Sequence, residues 1–195
     1  MMEIEIMKEQ IKSGVTSDRD TTELDNAFEL AQLAHANQTR DEGTPYIFHP
    51  MRVALILTDE FHVRDIHTVV LAILHDVPEK IGGRPSTDLL SDIGSLFGDH
   101  TAEELRTLTT KIGVTREERD SYYIRAIRES PMHVKLVKLA DRIDNVRSLR
   151  MSPSVEKRKR YIHETERDFM PFARDVNATA YAALKHALDD AKRIA

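Results

Sequence analysis

Residues 71–76 read LAILHD, an apolar run that stops on an imidazole and a carboxylate. Working back from it, Asp65 is placed to accept from the free amides at the start of a helix that runs into this stretch. Working forward, Gly82, Gly83 and Pro85 bring that helix to an end. A segment built for burial therefore finishes on two groups that are costly to desolvate. His75 and Asp76 must be hydrogen-bonded, paired, or bound to a cation.

Helical patterning extends on both sides. In 22–38, Leu24, Phe28, Ala31 and His35 recur at spacings of three and four, which predicts an amphipathic helix. A loop, TRDEGTPY, follows, and Pro50 fits the start of a buried helix through MRVALILTDEF. Further helices are predicted in TDLLSDIGSLFG, in DHTAEELRTLT and in TREERDSYYIRAIRES, where Thr115 and Glu118 fit a capping box. Ser130 and Pro131 open the long run MHVKLVKLADRIDNVRSLR, and Pro153 and Pro171 separate two more helical patterns. No strand alternation or internal repeat is seen. The predicted fold is all-α, with around seven to nine helices. Residues 1–20 are set apart as an N-terminal segment, and residues 21–195 form a single domain.

At 195 residues the chain is long enough to bury a continuous core. No stretch reaches the roughly 20 apolar residues of a membrane span, so no membrane partner is expected. The beginning, MMEIEIMKEQIKSG, has neither the basic nor the apolar region of a secretory signal. The sequence contains no cysteine, which removes disulfides and thiolate ligands together and suits a reducing, cytoplasmic setting. A net charge of -5 and a pI near 6 argue against a broad nucleic-acid surface. The expected partner is a small molecule or another protein.

Two other segments share the design of LAILHD. In YIFHP, His49 closes an apolar stretch just before a proline, and in KLVKLADRIDN, Asp141 does the same. Three apolar elements thus deliver His49, His75, Asp76 and Asp141, a first shell for one divalent metal. Two nitrogens and two oxygens without thiolate suit Mn²⁺ or Fe²⁺ better than a closed zinc site. Such an ion polarises a phosphoryl oxygen and acidifies water, so phosphate-ester hydrolysis is the reaction class that fits.

The ordered set His49, His75-Asp76, Asp141 resembles the HD-domain metal-dependent phosphohydrolases. The segments AHANQTRDEGTPYIFHPMRVALIL, AILHDVPE, LFGDHTAEELRTLT and VKLVKLADRIDNVRSLR resemble, in order, the hydrolase domain of the RelA/SpoT group, which removes the 3′-pyrophosphate of (p)ppGpp. The likeness runs from about Leu24 to Arg150. With the chain read as ending at Ala195, it is similar to the stand-alone small alarmone hydrolases. The resemblance implies a single-domain HD-type helical bundle, a nucleotide substrate, and one Mn²⁺ (or Fe²⁺) held by His49, His75, Asp76 and Asp141. It implies that Glu79 helps to position or activate the attacking water. It also implies that Arg40 lies beside the guanine, with Tyr46, Asn145 and Ser148 lining the nucleotide pocket.

Departures from the family pattern bear on substrate. The motif HDxxED reads HDVPEK here, so Lys80 replaces the second acid; it either meets a substrate phosphate or is a solvated residue after the helix. Pro78 falls within the expected helix, where a proline disturbs the preceding turn. Asp41 stands where a lysine is usual, and Asp144 where an aromatic or small residue is frequent. Two further readings therefore stay open: hydrolysis of another nucleotide or NADPH, and a catalytically impaired nucleotide-binding module. His35 is expected in the core or at its rim. His62, His67, His100, His133, His163 and His186 show no shared inner face and are expected at the surface or as caps. The run Lys157 to Arg160, surrounded by Glu156, Glu164 and Glu166, is expected to be a solvated helix face.

Overall fold

A computed structural model describes residues 2–15, 21–41, 43–80, 86–109 and 115–194; the side chains of 79, 80, 86, 87 and 116–121 lie outside the described set. The described residues are helical, with no β-strand and one isolated antiparallel bridge between Thr39 and Pro45. In chain order the helices are α1 (Met2–Gly14), α2 (Thr21–His35), α3 (Phe48–Leu55), α4 (Ile66–Leu74), α5 (Val77–Lys80), α6 (Ser86–Phe97), α7 (Asp99–Leu108), α8 (Arg116–Glu129), α9 (Met132–Ser148), α10 (Val155–Glu164), α11 (Met170–Val176) and α12 (Ala178–Lys192).

Twelve described α-segments exceed the seven to nine expected because α1 forms in the N-terminal segment, the chain restarts as α5 after α4, and the last helical pattern breaks at Asn177 into α11 and α12; winding also changes within the predicted helices. After α3 the chain passes into a π turn, Ile56–Glu60, and after α10 into another, Thr165–Phe169, while α9 tightens into a 3₁₀ turn at Leu149–Met151. Apolar periodicity barely changes through such turns, which makes them invisible to pattern. Pro171 lies in the first turn of α11, where its missing amide is tolerated. The Thr115–Glu118 capping box and the Gly82–Pro85 break lie outside the described residues.

The fold is organised around α4. Its start is held by Asp65, whose carboxylate accepts from the Thr68 amide at 2.9 Å and from the Thr68 hydroxyl. From Val69 to Leu74 every side chain is fully buried. A helix apolar on all sides needs cover on all sides, and α2, α3, α7 and α9 supply it. α12 packs against α9 from the far side. α1 closes against the π turn after α3. A Cβ at Gly14 would stand 2.7 Å from the Thr58 Cβ, so only glycine permits that approach.

α4 ends where its sequence requires. Pro78 has no amide hydrogen for the Leu74 carbonyl four residues earlier, and its ring would collide with that carbonyl. The helix stops at Leu74, turns through His75 and Asp76, and restarts as α5 with Pro78 in the first turn. The disturbance expected of Pro78 is thus a full break, and His75, Asp76 and Glu79 do not share one continuous helix. Glu79 instead belongs to a new short helix that follows directly on Asp76.

Because α4 is enclosed by four helices, truncating it leaves a cavity that its neighbours cannot fill by small shifts. Leu71→Ala is expected to destabilise the protein by about 2–5 kcal/mol, measured as a lower urea midpoint with unchanged slope.

Candidate metal centre

Three elements converge at the C-terminal end of α4. His49 comes from the first turn of α3, His75 and Asp76 from the break after α4, and Asp141 from the middle of α9. The His49 Nε2 lies 3.2 Å from Asp141 Oδ1 and 3.6 Å from Asp76 Oδ2. The His75 Nε2 lies 3.5 Å from Asp76 Oδ1 and 3.8 Å from Asp141 Oδ1. His49, His75 and Asp141 are buried, and Asp76 is nearly so.

Each imidazole is oriented by its other nitrogen. His75 donates from Nδ1 to the Ala72 carbonyl at 2.7 Å, and its buried Nε2 has no hydrogen-bond partner. His49 donates from Nδ1 to Asp144 Oδ2 at 2.7 Å, and Arg52 grips the same carboxylate at 2.6 and 3.1 Å. Both Nε2 atoms therefore face one small space shared with two carboxylates. A buried nitrogen with no partner calls for an explanation, and a cation at this point provides one. Donation from the remote ring nitrogen to a carboxylate or carbonyl is the usual outer support of a metal-bound histidine.

Charge holds this arrangement together. Burial would raise the Asp144 carboxyl, but His49 and Arg52 draw it down to about 2. Burial likewise opposes ionisation of Asp141; nearby Lys138, His49 and His75 overcome it and keep the carboxyl well below the usual range. Lys138 donates to Asp141 Oδ2 at 2.7 Å, and its own affinity for a proton is raised by that carboxylate in spite of burial. The Tyr46 hydroxyl donates to Asp76 Oδ2. Burial and the Asp76 charge push its ionisation far upward, so it remains a donor.

Arg40, Tyr46, Asn145 and Ser148 line one cavity of about 320 Å³ beside this centre. Arg40 Nη2 donates to Asn145 Oδ1 at 2.8 Å, and the Asn145 amide donates to Asp141. The cavity wall is thus linked to the centre through Asn145 on one side and Tyr46 on the other. Glu79 and Lys80 follow in α5, with side chains outside the described residues.

Several participants were not anticipated. Lys138, Asp141, Asp144, Asn145 and Ser148 fall at steps of three and four along α9, a polar stripe on one face. That spacing was a usable signal for Lys138 and for Asp144, which is buried behind His49. Asp41 does not load the cavity with free negative charge: it pairs with Lys157 and accepts from the Ser152 hydroxyl at 3.2 Å. Lys157 also lines the cavity, and Arg158 donates to the Ser152 carbonyl at 2.6 Å, so half of the basic run faces inward. Only Lys159 and Arg160 are on the solvated face. Ser154 caps α10, its hydroxyl oxygen accepting from the Lys157 amide. His35 is buried, with its ring 4.8 Å from that of Tyr46. His67, His100 and His133 do share a location, meeting at Glu104 near the opposite ends of α4 and α9.

The model of the HD domain family matches residues 27–177. The guanosine-3′,5′-bis(diphosphate) 3′-pyrophosphohydrolase of Aquifex aeolicus is 35% identical over 173 residues, covering 86% of this chain and 23% of that protein. The bifunctional (p)ppGpp synthase/hydrolase SpoT of Escherichia coli is 35% identical over 156 residues, 77% of this chain and 21% of that one. The chain therefore spans about a quarter or less of the length of these relatives. A solved structure, described as "A metazoan ortholog of SpoT hydrolyzes ppGpp and plays a role in starvation responses", matches with a TM-score of 0.77 and 26% identity, over 89% of this chain and 98% of that one.

Asp144 touches no other candidate ligand except through His49, yet it sets that ring's tautomer. Asp144→Asn is expected to weaken Mn²⁺ binding about 10–100-fold, read by equilibrium dialysis, with the helical circular-dichroism signal retained.

Proposed function

Because this chain belongs to the HD-domain family, we propose that it is a metal-dependent phosphohydrolase that removes the 3′-pyrophosphate of (p)ppGpp, yielding GDP or GTP and pyrophosphate. The observation that carries the reading is the unpartnered, buried Nε2 of His75, facing His49, Asp76 and Asp141 beside a cavity walled by Arg40 and Lys157. Relatives named for this activity and the structural match to a metazoan hydrolase of ppGpp support the substrate.

His49, His75, Asp76 and Asp141 would hold the ion, and a thiolate-free N₂O₂ set favours Mn²⁺, with Fe²⁺ as the alternative. When bound, a divalent ion supplies Lewis acidity at a phosphoryl oxygen and a water of lowered pKa. The protein's own groups do the rest. Tyr46 and Lys138 hold Asp76 and Asp141 in their ionised, oriented form. Arg40, fixed by Asn145, offers a planar cation to the nucleotide, while Lys157 brings a second positive charge to the same cavity. Ser148 offers a hydroxyl one turn along α9 from Asn145. Glu79, one turn beyond Asp76, is assigned to positioning the attacking water, and Lys80 to meeting substrate phosphate. The substrate is a free nucleotide in the cytoplasm, and among the described residues no helix is long and apolar enough to cross a membrane.

Purified protein with Mn²⁺ is expected to release pyrophosphate from ppGpp in a chelator-sensitive manner, and His75→Ala is expected to abolish it. Wild-type turnover by His75→Ala would refute the proposal; activity on NADPH or another nucleotide with silence on ppGpp would refute the substrate assignment. Lys157→Ala is expected to raise KM about tenfold, the effect of losing roughly 1.4 kcal/mol of binding, with kcat little changed.

A further inference from the structure

Well away from the centre described above, three imidazoles converge on one buried carboxylate. His133 Nε2 lies 2.5 Å from Glu104 Oε1, His100 Nε2 lies 3.1 Å from the same oxygen, and His67 Nε2 lies 2.7 Å from Oε2. Glu104 is 5% exposed, while the side chains of His67 and His133 are about 30% exposed and that of His100 is 73% exposed. One potential ligand atom from each of the four residues falls within 4.8 Å of all the others.

We propose that His67, His100, His133 and Glu104 form a second metal site, structural in role and suited to Zn²⁺. Three imidazole nitrogens and one carboxylate oxygen make a complete four-coordinate set of the kind zinc takes. Imidazole ligands also favour zinc over the harder ions expected at an oxygen-rich site. In a tetrahedron with metal–ligand bonds of 2.0–2.1 Å, ligand atoms stand roughly 3.3 Å apart. The nitrogen–oxygen spacings here need to open by less than about 1 Å to reach that. Oriented as they are, three imidazoles can bond to this carboxylate only if each presents a proton from Nε2. One divalent ion can take the place of these three protons, each neutral imidazole then carrying its proton on Nδ1, and more than offsets the carboxylate charge.

The placement of the ligands defines the role. Glu104 follows His100 by four residues on α7, so both project from one face of that helix. Gly98, with φ of 90°, makes the sharp turn from α6 that sets α7 in this position. His67 stands near the start of α4 and His133 near the start of α9. Each precedes a residue of the first centre, His75 and Asp141 respectively, by eight positions. Eight residues of helix span about 12 Å, so α4 and α9 run side by side and carry ligands for both sites. An ion at Glu104 would tie the starts of α4 and α9 to α7, fixing the register of the two helices that bring His75 and Asp141 together. With all four positions filled by protein, no ligand position is left for substrate, which separates this site from a catalytic one.

The test is a Co²⁺ and Zn²⁺ titration of metal-stripped protein. Four-coordinate Co²⁺ absorbs strongly in the visible, and His75→Ala removes a ligand of the first centre, so the bands of that variant report on the second site. Wild type and His75→Ala are both expected to develop the intense bands and to retain one tightly held Zn²⁺ against a chromophoric chelator. His75→Ala/His100→Ala/His133→Ala, in which both centres have lost ligands, is expected to lose both signals. His100→Ala alone changes an exposed side chain without threatening the fold, and it is expected to weaken and shift the bands. Zn²⁺ should also raise the Tm of His75→Ala but not of the triple variant, as expected for a ligand that binds only the folded chain. Absence of intense bands in His75→Ala, or their persistence in the triple variant, would overturn the proposal. Neither result depends on turnover of any nucleotide.

Discussion

Pro78 cannot donate a hydrogen bond to the Leu74 carbonyl, and the rest of the candidate site depends on that missing bond. His75 keeps helical φ and ψ of -56° and -30° at the end of α4, so its ring donates from Nδ1 to the Ala72 carbonyl three residues back, and Asp76 follows it in the break before α5. The apolar run supplies the anchorage and the proline supplies the stop. Together they put an imidazole and a carboxylate in the interior, in the one place where other elements can meet them.

What meets them is a set of buried charges that would be destabilising one by one. Removing one partner of a buried pair costs about 3–5 kcal/mol, since the other is left uncompensated. Here the carboxylates of Asp76, Asp141 and Asp144 are each answered, by Tyr46, by Lys138 and Asn145, and by Arg52 and His49. The answering groups lie on α9, on α3 and on the loop before it, so elements that build the cavity wall also help to hold the ligand set. Substrate recognition and metal binding are in this sense one hydrogen-bonded network, running from Arg40 through Asn145 to Asp141.

How much of this was readable without coordinates differs from residue to residue. Asp65 as a cap and the burial of α4 followed from local chemistry. The convergence of His49, His75, Asp76 and Asp141 was suggested by three apolar segments that each end on a ligand-type residue, and the family resemblance supplied their order. The α9 stripe of Lys138, Asp144 and Asn145 was legible as helical spacing around Asp141. By contrast, the pairing of Asp41 with Lys157 joins residues 116 positions apart, and no local pattern encodes it. The same holds for His67, His100 and His133: they come from three helices, and only the packing of α7 against α4 and α9 makes them neighbours. The π turns at Ile56–Glu60 and Thr165–Phe169 left no mark on the apolar periodicity and so escaped it.

The most direct test of the central claim, that the break after α4 completes a single metal centre, is anomalous diffraction from crystals grown with Mn²⁺. The account requires a peak within bonding distance of the Nε2 atoms of His49 and His75 and of the Asp76 and Asp141 carboxylates, with Asp144 still bonded to His49 Nδ1. Bound Mn²⁺ with its peak elsewhere, or with His75 Nε2 turned away from it, would contradict the account.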